Sequence, residues 1–258
     1  MKNKIRFIIE DNYLFERIIN HLILFYDKKI RKSYSLPKNI EIINIEKFFD
    51  FLFNNIYKEK NYIKEKLDIE FLKLYEIVNK KLINNQIPQV YNADISLAKL
   101  CYHLVRIKKP KVIIETGVGN GVTSFFILNA IKNNELGTLF SIDLPPLSSQ
   151  NIGLLVEDNL KINWKLHLGT SLRLLRKIKR LNNNKIDIFI HDSANIYTIQ
   201  KYEVNVIYNA LCSYGIIIMN NIGTNSAFIE LLEELKPTYF FVIEQINKKN
   251  NYTGIMIK

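Results

Sequence analysis

The sequence predicts an α/β fold: a doubly wound, mostly parallel sheet of about seven strands with an antiparallel last strand, behind an N-terminal helical region. Three observations carry this. From Val112 onward, short apolar runs rich in β-branched residues alternate with segments of helical periodicity. A glycine cluster, Gly117 to Gly121, follows the first run directly. Before that run the spacing of apolar residues is helical. The expected division is a helical cap, lid or dimerisation region over residues 1–108 and a sheet domain over residues 109–258.

The N-terminal elements come first. Phe15, Ile18, Ile19, His21, Leu22 and Phe25 follow a spacing near 3.6, as do Ile45, Phe48, Phe49, Phe51, Leu52, Phe53 and Ile56. A third helix is expected from Asn61 to Leu82, with Ile63, Leu67, Phe71, Leu74 and Ile77 on one face, and a fourth from Ile95 to Arg106. Leu36-Pro37 and Ile87-Pro88 interrupt the pattern, because a residue before proline is pushed out of the helical region. The expected strands are Val112–Ile114, Thr138–Ile142, Trp164–Leu168, Ile186–Ile190, Ile216–Met219, Tyr239–Ile243 and Tyr252–Ile257. Helices are expected at Ser171–Leu181, Ile196–Leu211 and Asn225–Leu235. The loop Asn247 to Asn251 is too short for a crossover helix, so the last two strands should be antiparallel.

Composition removes several classes. A 258-residue chain with 48% hydrophobic residues can bury a core and is not disordered. Two cysteines, Cys101 and Cys212, exclude a disulfide scaffold and a cysteine zinc site. No apolar run approaches the roughly 20 residues of a spanning helix. Phe7-Ile8-Ile9 runs straight into Glu10-Asp11, so no leader peptide is expected and the expected location is cytoplasmic. The net charge of +11 invites a nucleic-acid reading. Yet 21 basic and 13 acidic residues precede Lys111, which leaves +8 of that surplus there, and the two signs alternate as on a solvated helix face. Heavy use of Lys, Asn and Ile also fits drift toward A- and T-rich codons.

The strongest motif is Glu115-Thr116-Gly117-Val118-Gly119-Asn120-Gly121, between a strand and a helix. Ligands of doubly wound sheets sit at the carboxyl ends of strands. Glycines let backbone approach the ligand, and the helix start offers free N–H groups. Asp143 ends the next strand, where an acid accepts from ribose hydroxyls. The spacing is G-x-G-x-G rather than the G-x-G-x-x-G of dinucleotide folds. Glu115 would repel a pyrophosphate and attract an ammonium group. This favours a nucleoside bearing an amino acid over NAD.

From about Cys101 to Phe228 the chain resembles the class I S-adenosylmethionine-dependent methyltransferases, which have a Rossmann-like sheet. It is similar in particular to a bacterial branch with E-T-G-x-G-x-G-x-x-S, S-I-D-L-P-P, W-x-L-x-x-G-x-S, D-x-F-x-H-D-S and D-D-I-x-x-N-x-A-F segments. The counterparts here are Glu115 to Ser124, Ser141 to Pro146, Trp164 to Ser171, Asp187 to Ser193 and Asn220 to Phe228. The resemblance implies that Glu115, Gly117 and Gly119 hold the methionine end of S-adenosylmethionine and that Asp143 binds its ribose. Gly169, Thr170 and Ser171 would lie near the adenine. Thr116, Gly121, Leu144 and Asp192 complete the implied cofactor set. His191 and Asp192 would face the transferring methyl and the substrate as the catalytic pair.

The departures from the branch are polar. Thr170 stands where the branch has Asp, Asn195 replaces a second His, and Asn220-Asn221 replace Asp-Asp. Related enzymes collect a divalent ion at these strand ends. With Asp192 beside the amides of Asn220 and Asn221, the site is a degenerate one, and no divalent metal is expected. Asn195 cannot take a proton, which removes a general base. His191 could serve instead, or could be a structural hydrogen-bond partner. The resemblance thus implies a methyltransferase acting on an O or N acceptor in a small molecule. The alternative is a degenerate fold that binds cofactor or a partner without turnover. An RNA methyltransferase ranks below both, because no N/D-P-P-Y/F segment and no appended RNA-binding module is present; a nucleic-acid partner is not expected, nor is a membrane. The aromatic-rich N-terminal helices could supply a homodimer face.

Overall fold

The computed structural model describes residues 18–19, 21–27, 34–57, 62–84, 93–144, 152–246 and 251–258. The first predicted helix lies partly, and the 145–151 part of the loop after Asp143 wholly, outside the described residues.

Eight strands form one sheet: β1 (Ile42–Ile43), β2 (Val112–Thr116), β3 (Thr138–Asp143), β4 (Trp164–Leu168), β5 (Ile186–His191), β6 (Leu211–Met219), β7 (Tyr239–Glu244) and β8 (Tyr252–Ile257). Their spatial order is β1-β7-β8-β6-β5-β2-β3-β4. β8 runs antiparallel to β6 and β7, and the remaining pairs are parallel. The sequence predicted seven of these. The eighth, β1, lies in the stretch expected to be helical; two residues are too few to show a strand period, and pairing with β7 alone fixes them.

Helices α1 (Ile45–Phe51), α2 (Tyr62–Asn84), α3 (Ile95–Lys108) and α4 (Val122–Asn134) cover one face, and α5 (Ser171–Leu181), α6 (Tyr197–Tyr208) and α7 (Ala227–Leu235) the other. α1 passes into π-helical turns at Leu52–Tyr57, where a continuous α-helix was predicted. Strand residues alternate between the two layers as a pleat demands. Ile113, Ile188, Ile190, Ile216 and Ile218 face α3 and α4, whereas Ile114, Phe189, Ile217 and Met219 face α5 to α7. Apolar runs without polar alternation are the mark of a sheet buried on both sides.

The N-terminal helices share this core. Phe48, Phe49, Phe71 and Tyr102 belong to the same buried cluster as Phe126 and Ile188. Phe71 stacks on Phe126 at 4.8 Å between centroids, and Phe48 meets Phe241 of β7 at 5.1 Å. Arg106 reaches Glu70 at 2.8 Å and His103 reaches Asp68 at 3.1 Å, which ties α2 to α3. No helix among the described residues is long and apolar enough to cross a membrane.

The strand order runs from β2 toward β3 and β4 on one side and from β5 toward β6 on the other. The crevice of such a sheet opens between the carboxyl ends of the two strands at the switch, β2 and β5. Thr116 and His191 are register partners there.

Candidate functional site

β2 leaves the sheet at Gly117, whose N–H donates to Ile142 O at 2.9 Å. Gly117 has φ 84°, and a Cβ there would lie 2.2 Å from the carbonyl oxygen of Asp192. Only glycine lets the turn pass against the end of β5. Gly121, also at φ 84°, is the N-cap of α4, and its missing Cβ leaves room for Gly153. Asp143 closes the turn from β3. Its Oδ2 accepts from the N–H groups of Val118 at 2.8 Å and Gly119 at 2.9 Å, and its Oδ1 accepts from Leu144 N–H at 2.7 Å. Residues 152–156 fold over the far side, with Gly153 N–H on Gly119 O and Leu155 N–H on Asn120 O. Gly169 joins the group through its N–H on Asp143 O at 2.8 Å, which sets Thr170 and Ser171 at the start of α5 beside β3.

Two buried carboxylates flank the end of β2, because Glu115 and Thr116 point to opposite faces of the sheet. Glu115 is fully buried. Its Oε2 accepts from Ser124 Oγ at 2.6 Å and Ser141 Oγ at 2.7 Å, and Ser141 Oγ in turn accepts from Trp164 Nε1. Its Oε1 has no partner among the described residues. Burial pushes the Glu115 carboxyl up to about 8; the serine bonds oppose this, while Asp192 and Asp143 add to it.

On the other face Thr116 Oγ1 donates to Glu203 Oε2 at 2.6 Å. The same oxygen lies 2.6 Å from His191 Nδ1, and Ser171 and Ser193 also bond to this carboxylate. His191 and Glu203 are both fully buried. Burial alone would raise the Glu203 carboxyl, but the His191 charge and the bonds from His191, Ser171 and Thr116 outweigh it and hold it below 4.5. Sequence reasoning missed Glu203. The signal was there: it falls on the stripe Ile196, Ile199, Glu203, Ile207, a charged residue at a position where helical spacing demands burial.

At the ends of β5 and β6, Asp192 N–H donates to Thr116 O and Asn220 N–H donates to His191 O, both at 2.9 Å. Asn220 Nδ2 donates to Asp192 Oδ1 at 2.6 Å. The amide oxygen of Asn220 accepts from Gln245 Nε2 and from Thr253 Oγ1. This orientation gives the Asp192 carboxylate a donor, whereas the reverse would set two acceptors together. Magnesium or calcium needs oxygen ligands. Asn220 offers Asp192 a nitrogen and turns its oxygen away, and Asn221 shares Gln245 at 3.4 Å. The residues do not fit a divalent cation. Asn195 is exposed, and among the described residues its backbone oxygen is engaged by Asn225 Nδ2 at 3.4 Å.

The N-terminal segment also reaches this edge. α6 starts at Tyr197 with no side-chain cap of its own at Ile196. Asp27 supplies the cap, accepting from Tyr197 N–H and from Thr198 Oγ1, each at 2.8 Å.

The family model described as a methyltransferase domain matches residues 114–222, from β2 to the turn beyond β6. The match spans every residue singled out in the sequence for cofactor, acceptor or metal, from Glu115 to Asn221. No curated protein matches the chain by sequence. Among solved structures, the O-methyltransferase from Bacillus cereus in complex with SAH is 14% identical, with a TM-score of 0.56 over 81% of this chain and 96% of that one. The O-methyltransferase TomG from Streptomyces achromogenes, in complex with SAM, is 15% identical, with a TM-score of 0.53 over 82% and 96%. The chain therefore shares the Rossmann-like fold of these two structures over about four fifths of its length.

Proposed function

We propose that the chain is an S-adenosylmethionine-dependent methyltransferase acting on an O or N acceptor in a small molecule. One observation carries the reading: a fully buried Glu115 keeps a carboxyl oxygen without a partner directly before the glycine turn. An unpaired buried acceptor is costly unless a donor arrives. A cationic ammonium group is the donor that also relieves the strained ionisation of this carboxyl. The bound SAH and SAM of the two structural neighbours carry such a group, which supports extending their ligand to this chain.

When bound, the cofactor supplies an electrophilic methyl on sulfonium. The chain does the rest by placement. Glu115 neutralises the ammonium end. Gly117 and Gly121 keep the turn free of side chains. Asp143 offers its remaining lone pairs to hydroxyls while holding Val118 and Gly119 in place. Thr170 and Ser171 sit at the β4 end for the base. Asp192, fixed by Asn220, faces the β2–β5 crevice as an acceptor beside the incoming group. In-line displacement gains several powers of ten from such positioning without a base.

A second reading, cofactor binding without turnover, is favoured by His191. Its ring is fully buried with Nδ1 held by Glu203 and only Nε2 left without a partner among the described residues, which favours a structural role over that of a general base. Titration calorimetry with SAH tests the first step, and absence of heat at millimolar ligand defeats both readings. A panel of phenols, sugars and amines with labelled S-adenosylmethionine then separates them, because a methylated product rules out the inert form.

A further inference from the structure

The outer face of α5 carries Arg173, Arg176, Lys177, Lys179 and Arg180, with no acid in the helix, while Leu174, Leu175 and Ile178 are buried beneath it. Between α5 and α6 lies a groove of about 530 Å³, lined by Arg176, Lys179, Arg180, Tyr202, Asn205 and Val206. It is separate from the β2–β5 crevice. Lys179 and Arg180 lie eight and nine residues beyond Ser171, roughly 12 to 13 Å along the helix at 1.5 Å per residue.

The groove is built for negative charge. Arg176 is a surface neighbour of both Lys179 and Arg180, and like charges at these spacings repel. Among the described residues no carboxylate pairs with any of the three. The one acid of α6, Glu203, faces inward to His191. Favourable interaction with the helix C-terminus accounts for Lys179 and Arg180, which lie in the last turn, but not for Arg176. Arg176 is held instead, its guanidinium 5.6 Å from the centre of the Tyr202 ring. Tyr202 is itself fixed by its hydroxyl on Leu172 O at 2.8 Å. A pre-oriented guanidinium matches two oxygens of a phosphate, and adjacent cations match a second phosphate linked to it.

We propose that the α5–α6 groove binds a small molecule bearing two or more linked phosphates, with Arg176, Lys179 and Arg180 as its phosphate contacts. The shared chemistry has two sources, a nucleoside polyphosphate or an inorganic polyphosphate. Titration calorimetry and thermal melting with inorganic pyrophosphate test it. The expected result is a saturable heat, a dose-dependent rise in Tm, and weakening on addition of salt. The R176Q/K179Q/R180Q variant should lose the pyrophosphate response. Relief of repulsion opposes the loss of the helix-end and Tyr202 contacts, so without ligand it should melt near the wild type, and it should bind SAH unchanged. Comparing ATP with tripolyphosphate assigns the source: tighter ATP binding points to a nucleoside ligand, equal binding to free polyphosphate. No heat with millimolar pyrophosphate overturns the proposal. So does an unchanged response in the triple variant, or binding confined to a short single-stranded RNA. The unchanged SAH titration keeps this outcome distinct from that of the cofactor reading.

Discussion

His191 Nδ1 lies 2.6 Å from Glu203 Oε2, and neither side chain is exposed to solvent. The pair locks the end of β5 to α6 in the layer beneath the crevice. Removing one partner of a buried pair leaves the other uncompensated, so Glu203→Ala should cost about 3–5 kcal/mol. Glu203→Gln keeps an acceptor for the imidazole N–H and should cost less. The pH dependence has a definite sign. The Glu203 carboxyl is held below its ordinary 4.5. Its contribution is therefore complete above 4.5 and is lost as the pH falls through the lower folded value. Urea denaturation at neutral pH and in acid should show the wild type converging on Glu203→Gln only below pH 4.5.

Glu115 behaves in the opposite sense. Its folded value of about 8 exceeds the unfolded 4.5, so the native state holds a proton that the unfolded chain has released. Stability from this group is full below 4.5 and declines as the pH rises to about 8. Glu115→Gln should therefore gain on the wild type across that interval and level off above it. An ammonium-bearing ligand requires the ionised form. SAH affinity in the wild type should rise with pH up to about 8, and binding near neutrality should release a proton, read as a heat that varies with the ionisation enthalpy of the buffer. Glu115→Gln should remove that release and weaken SAH by about 1.5–3 kcal/mol, the range for hydrogen bonds to charged groups.

The sheet and the glycine turn were legible because their signals are local. A fully apolar run, a glycine cluster and an acid at the next strand end each fall within one window of sequence, and β2 to β8 appear where those signals place them, except that β6 begins at Leu211, the expected end of the preceding helix, rather than at Ile216. What was hidden depends on approach between distant residues. Glu203 is 87 positions from Thr116, and Gln245 is 25 from Asn220. The helical stripe marks Glu203 as buried but not what it meets, and nothing beside Gln245 marks it at all. Asp27 is 170 positions from the helix it caps. The departures Asn195, Asn220 and Asn221 were visible, but their consequences were not alike. Asn195 is an exposed loop residue, whereas Asn220 is buried and joins Asp192 to Gln245. Composition alone could not separate the two.

Asp27 gives the N-terminal segment a measurable link to the site. Loss of a side-chain cap costs about 0.5–2 kcal/mol. Asp27→Ala should lower stability within that range. Its local effect should be faster hydrogen exchange at the first amides of α6, Tyr197 above all, with the amides of α4 unchanged. Asp27→Asn, which retains an acceptor, should restore most of the protection. Equal exchange in all three proteins would detach the segment from the edge of the sheet.

Asn220→Asp tests whether the strand ends can be returned to a cation site. The substitution places a second carboxylate oxygen about where an N–H now lies, 2.6 Å from Asp192 Oδ1. Two carboxylates this close cannot both ionise, so one takes up a proton at a raised value. A raised folded value means stability is full below the ordinary carboxylate range and falls as the pH rises toward neutrality. Asn220→Asp should be destabilised at neutral pH by about 1–3 kcal/mol, the cost of an unsatisfied buried polar group, and should recover in mild acid. A divalent cation should recover it as well, because an ion between two carboxylates binds the native state alone. Thermal melts should therefore show a magnesium- or calcium-dependent rise in Tm for Asn220→Asp that chelator reverses, larger still with Asn221→Asp added. The wild type, whose amide presents nitrogen to Asp192, should melt at the same temperature with either cation or with chelator. A cation-dependent shift in the wild type would mean that the Asn220 amide turns its oxygen toward Asp192 after all.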